Sequence, residues 1–113
     1  MNYVDIGILE GLTLNEIGID DSINQIKFVD DKNNAYIMHH KQDCGEDMFI
    51  EGIYGDPEDI LGTPIIRAEE IINYNEIPLY EDCLDYTWKL YEIATNKGCI
   101  SIRWYGELNG YYI

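Results

Sequence analysis

The segment from Tyr86 to Tyr105 constrains the fold more than any other part of this chain. Residues 86–95 (YTWKLYEIAT) alternate, with Trp88, Leu90 and Ala94 on one side and Thr87, Lys89, Tyr91 and Ile93 on the other. NKG then supplies a tight turn ending in glycine. Residues 99–105 (CISIRWY) resume the alternation, with Ile100, Ile102 and Trp104 opposite Ser101, Arg103 and Tyr105. A period of two belongs to a strand, because successive side chains leave opposite faces of the pleat. Two such runs around a short turn predict an antiparallel hairpin.

The same period recurs upstream. Residues 24–30 (NQIKFVD) and 34–40 (NAYIMHH) flank a turn-like DKN and predict a second hairpin. Residues 47–53 (DMFIEGI) suit a further strand, and GDPEDILG after them suits one helical turn. Asp56 can cap that turn and Pro57 can occupy its first position. The run 64–73 (PIIRAEEIIN) fits a helical stripe about as well as a strand; its four isoleucines favour the strand. Residues 74–85 predict a loop, and a GELNG turn leads into the closing YYI. The expectation is a single acidic domain over residues 1–113, α+β to mainly β, with a twisted antiparallel sheet and one or two short helices.

Charge narrows the possible partners. Twenty-two acids against seven bases give a formal charge of −15, although 46% of the residues are hydrophobic. The apolar content sets the chain apart from a disordered acidic tail. Such a charge repels nucleic acid and anionic membranes and attracts basic surfaces. No cluster of lysine or arginine is available to displace phosphate counterions, so direct nucleic-acid binding is not expected. Between Gln42 and Trp88 thirteen acids meet one base, Arg67. Met48, Phe49, Tyr54, Tyr74, Leu79 and Tyr80 are interleaved with them, a mixture that resembles an interface. A solvated acidic face is the bland account of the same pattern.

The stretch HHKQDCGED, residues 39–47, is the candidate for chemistry. On a strand over 34–40, His39 and His40 would point to opposite faces and could not share a metal. The three cysteines, Cys44, Cys83 and Cys99, lack the paired spacing of a zinc site or a disulfide framework. Carboxylates around Cys44 would raise its pKa and weaken it as a nucleophile. No phosphate loop, nucleophile elbow or HExxH occurs. The segment therefore predicts a strand end and an Asx-type turn at Asp43 and Gly45, with no catalytic residues, metal or cofactor. No secretory leader or run of about 18 apolar residues is found, so a soluble protein of a reducing compartment is expected.

Several motifs together resemble a family of small uncharacterised domains of phage and prophage genomes. They are H-x-Q-D-C-x-E (His40, Gln42, Asp43, Cys44, Glu46), GTPI at 62–65, AEE at 68–70, YTW at 86–88, AT-x-KG at 94–98, IRWYG at 102–106 and NGYY at 109–112. The resemblance covers roughly residues 8–112; Gly45 stands where the pattern has a second cysteine. It carries over no catalytic residues. It implies a phage setting in the bacterial cytoplasm, where small acidic proteins inhibit host defence.

The resulting expectation is a non-enzymatic inhibitor of a host defence nuclease complex, anti-CRISPR-like, with an acidic surface that mimics nucleic acid. Same-face residues of a strand repeat every ~6.8 Å, about twice the ~3.4 Å phosphate rise of one DNA strand. Asp43, Glu46, Asp47, Glu51, Asp56, Glu58 and Asp59 would steer a basic cleft, with Phe49 and Tyr54 as anchors. The protein would act as a monomer or homodimer. Two alternatives remain at this stage: a metal-assisted hydrolase using His40, Asp43 and Glu46, and an oligomeric structural phage component.

Overall fold

The computed structural model describes residues 4–40, 46–72 and 86–108, with 46, 47, 107 and 108 described through their backbone alone. The expected turn at Asp43 and Gly45, the loop over 74–85 and the closing YYI lie outside the described residues, as do Cys44 and Cys83.

Two antiparallel sheets build the domain, where a single sheet was expected. The first has the order β1-β2-β3, from Leu14–Asp20, Gln25–Asp30 and Ala35–Met38. The second has the order β4-β7-β6-β5, from Glu46–Tyr54, Gly98–Leu108, Tyr86–Thr95 and Arg67–Ile71. The helical content is smaller than expected: two 3₁₀ turns, η1 (Ile6–Leu9) and η2 (Pro57–Ile60), are the helical segments among the described residues. The run around Ala68, ambiguous in sequence, is strand β5. Among the described residues, no helix is long and apolar enough to cross a membrane.

The C-terminal hairpin follows its alternation. Ile100, Ile102 and Trp104 are buried on the inner face of β7, which lies between β4 and β6. They join Leu14, Ile26 and Phe28 of the first sheet, Leu9 of η1 and Ile60 of η2 in one apolar core. Backbone bonds tie the segment before β1 to the segment before β5: Gly11 N–H to the Ile65 carbonyl (2.8 Å) and Ile65 N–H to the Leu12 carbonyl (2.8 Å). The two sheets are thus fastened by main chain as well as by the core.

The β2–β3 turn is organised by one buried acid. Asp30 is 1% exposed. Its Oδ1 accepts from the backbone N–H groups of Lys32 (2.9 Å) and Asn34 (2.8 Å). Its Oδ2 accepts from the Asn34 amide (3.2 Å) and the Tyr36 hydroxyl (3.5 Å). Asn33 takes a φ of 64°, a left-handed conformation that asparagine tolerates. Strand β3 ends at Met38, so His39 and His40 follow the strand and are not its last residues.

Burial by itself would raise the Asp30 pKa, but the hydrogen bonds from Asn34, Lys32 and Tyr36 outweigh it and hold the group below 3.8. A depressed carboxylate pKa stabilises the fold above the unfolded value, and that contribution is lost as pH falls through the folded pKa. Asp30→Asn should therefore melt several degrees lower than the native chain at neutral pH. The gap should narrow once the pH drops below about 4. Melting curves of both proteins across that range check this; a gap independent of pH would mean the charge is not what the turn uses.

Candidate functional site

Among the described residues, the anticipated partner-binding positions fall on β4 and at η2 immediately after it, with Asp56 as its cap. Register along β4 pairs Phe49 with Tyr105, Gly52 with Arg103 and Tyr54 with Ser101, and a bulge between Ile50 and Gly52 accommodates Glu51. The same face of β7 meets β6 through Trp88 opposite Tyr105 and Leu90 opposite Arg103. The outer face of the second sheet therefore carries a band of rings around one guanidinium.

That band is tightly interconnected. The Tyr105 ring, fully buried, meets Phe49 edge-on (5.8 Å between centroids) and Trp88 edge-on (4.7 Å), and stacks with Tyr86 (6.4 Å). The Arg103 guanidinium lies 4.4 Å from the Trp88 ring centroid and 5.6 Å from that of Tyr54, a cation–π arrangement. Its Nε is 3.5 Å from the Glu51 carboxylate, which also accepts from the Tyr54 hydroxyl at 2.8 Å. Phe49 is thus an internal packing residue on this face, Glu51 a counter-ion, and Tyr54 the anticipated anchor that stays exposed, at 46%.

The acids of η2 have a separate support. The Asp56 carboxylate accepts from the Glu58 N–H at 3.0 Å and so caps the turn, with Pro57 in its first position, as the sequence predicts. The Lys97 ammonium donates to the Glu58 carbonyl (3.3 Å), and the Thr95 hydroxyl donates to the Asp59 carbonyl. The Asp59 carboxylate packs against Gly98, where an added Cβ would lie 2.7 Å from Oδ2. Asp56 and Glu58 are exposed and Asp59 is half-buried. Glu46 and Asp47 open β4 and pair in register with Leu108 and Glu107; Asp43 lies outside the described residues.

The described acids and bases of β5 and β6 also interact. The Arg67 guanidinium contacts Glu92 (3.1 Å) and Glu69 (3.6 Å). At these exposures such pairs contribute little stability, but they hold a base on the sheet surface. The alternation of CISIRWY placed Arg103 on the outer face; its seat between Trp88 and Tyr54 was not anticipated, since it depends on the bulge in β4. Among the described residues, no group of three or more histidine, cysteine or acidic side chains is arranged to hold a metal ion. Asp43 of the His40, Asp43 and Glu46 trio lies outside the described residues, and Glu46 is described through its backbone alone.

Fold and site together define a small acidic domain of two antiparallel sheets, with an arginine held among aromatic rings on the outer face of one. The chain belongs to the family described as Domain of unknown function (DUF7448), which it matches over residues 10–113. No curated protein matches it, and no solved structure does.

Proposed function

We propose that this protein is a non-catalytic binding protein that offers an acidic edge to a basic protein surface. The partner class is the nucleic-acid-binding cleft of a host defence nuclease complex, which the acidic edge would occupy in place of nucleic acid. The observation that carries the reading is how the acids and bases near β4 and η2 are disposed. Exposed Asp56 and Glu58 are mounted on a capped turn. The neighbouring bases make internal contacts, Lys97 with a backbone carbonyl and Arg103 with Glu51 and two rings. An acidic edge whose nearby cations are occupied within the domain keeps its attraction for an external cation. The motif resemblance to phage and prophage domains supports the choice of partner class.

The test is charge reversal that leaves the described contacts of Asp56 and Asp59 intact. Glu46→Lys, Asp47→Lys and Glu58→Lys combined spare the Asp56 cap and the Asp59 contact with Gly98. The triple variant should lose at least ~10-fold in affinity for a purified basic nuclease complex, with the loss greatest at low ionic strength. Competition against labelled duplex DNA reads the same site, and the native chain should displace the DNA. Undiminished capture by a folded triple variant would refute the proposal.

A further inference from the structure

A cavity of about 680 Å³ opens between the two sheets. Phe28, Tyr36 and Met38 of the first sheet line one wall, and Glu70 and Tyr91 of the second line the opposite wall. Asp5 and Leu9, at η1, line a third side. Its size falls within the range of small-molecule sites, roughly 300–1,000 Å³.

The position of Glu70 is unusual for the pattern of its strand. Side chains of β5 alternate, and Ala68 is buried while Arg67 and Glu69 face outward with Glu92. Glu70 shares the face of Ala68 and pairs in register with Tyr91, so a carboxylate that remains exposed to solvent stands on the face turned toward the other sheet and lines the cavity. Asp5 adds a second carboxylate, with Oδ1 accepting the Gly7 N–H at 2.9 Å. Among the described residues that line the cavity, no lysine or arginine occurs. The remaining lining is mainly apolar and aromatic.

We propose that this cavity binds a small apolar molecule bearing a cationic amine, with the Glu70 and Asp5 carboxylates as counter-ions and the Tyr36 and Tyr91 rings against its body. Aromatic faces and carboxylates are complementary to an organic ammonium and repel an anion of the same shape. The local field agrees in sign: burial, then the charges of Glu70 and Asp5, push the Tyr91 hydroxyl up to about 12. Burial opposes a charge of either sign; it is the contribution of the two carboxylates that favours a positive one. The inference is independent of the partner proposed for the acidic edge.

The test uses the full chain and three probes of equal length: octylammonium, octanol and octanoate. Octylammonium should bind saturably at one site by calorimetry and raise the melting temperature, while octanoate should do neither. Glu70→Gln should weaken octylammonium on the order of 10-fold and leave octanol unchanged. Met38→Trp, which places a large ring on the wall that Met38 forms with Tyr36 and Phe28, should abolish binding of both, which covers the case of a poorly folded Glu70 variant. Glu58→Gln, remote from the cavity, should bind octylammonium as the native chain does. Equal binding of octylammonium and octanoate would overturn the proposal. So would octylammonium affinity that survives Glu70→Gln, or that falls equally with Glu58→Gln. An inward acid on an edge strand can also serve only to discourage strand addition; a Glu70→Gln variant that melts higher and binds the amine unchanged is that outcome, and it too would overturn the proposal.

Discussion

Gly55→Ala is expected to lower the stability of this domain by about 3 kcal/mol. Gly55 follows β4 with a φ of 102°, a conformation that L side chains rarely adopt. An added Cβ would lie 2.5 Å from the Cys99 carbonyl oxygen and 3.3 Å from the Ile100 Cα. Both obstacles are main-chain atoms of β7, which is hydrogen-bonded on both sides by β4 and β6, so neither can turn aside as a side chain would. Relief must come from Gly55 itself, and moving it displaces η2 with Asp56 and Glu58. Gly11→Ala is the control: its φ is 85°, but nothing lies within 4 Å of the added Cβ, so only the dihedral penalty of about 1 kcal/mol should appear. Urea denaturation of both variants separates the two terms. Equal losses at Gly55 and Gly11 would show that the close approach to β7 does not exist in solution.

Ile102→Ala should cost about as much, roughly 3 kcal/mol within a range of ~2–5. Ile102 is fully buried at the centre of β7, opposite Ile53 on one side and Tyr91 on the other. Its neighbours on the inner face, Ile100 and Trp104, belong to the same strand, which β4 and β6 lock on both edges, so the gap left by the lost methyl and methylene groups cannot close by a strand shift. Against a total stability of ~5–15 kcal/mol for a domain, that is a large fraction. The midpoint in urea should fall with little change in slope. Ile66→Ala, at a residue 66% exposed, should stay within about 0.5 kcal/mol. If the two isoleucines responded alike, the inner face of β7 would not be the packed core described above.

Much of the local structure was legible because each element declares its own period or cap. Alternation in CISIRWY assigned Ile100, Ile102 and Trp104 to one face, and all three are buried. DPE marked the capped turn, since Asp56 and Pro57 act within their own four residues. Strand β1 went unrecognised: a bulge between Leu14 and Glu16 breaks the alternation that would have announced it. The inward position of Glu70 was within reach by counting two residues on from Ala68, but AEE also suited a helix, where that parity has no meaning.

The candidate site was only partly readable. Glu51, Phe49 and Tyr54 stand out in sequence as an acid among aromatics, yet their roles differ. Phe49 and Glu51 are committed to Tyr105 and Arg103 from another strand, and Asp59 packs on Gly98 at the far end of the chain. No local pattern can separate a solvent-facing acid from one that serves a distant base.

By itself the amino-acid order determined the strand character of most segments, the capped turn and the strongly negative charge, because alternation, capping and ionisation act over a few residues at most. Only the tertiary structure decided that the strands divide between two sheets, that Arg103 lies between Trp88 and Tyr54, and that Glu70 and Tyr91, side by side on neighbouring strands, face the first sheet across a cavity. Those outcomes depend on which strands pair and in what register, and pairing is chosen by contacts between residues far apart along the chain.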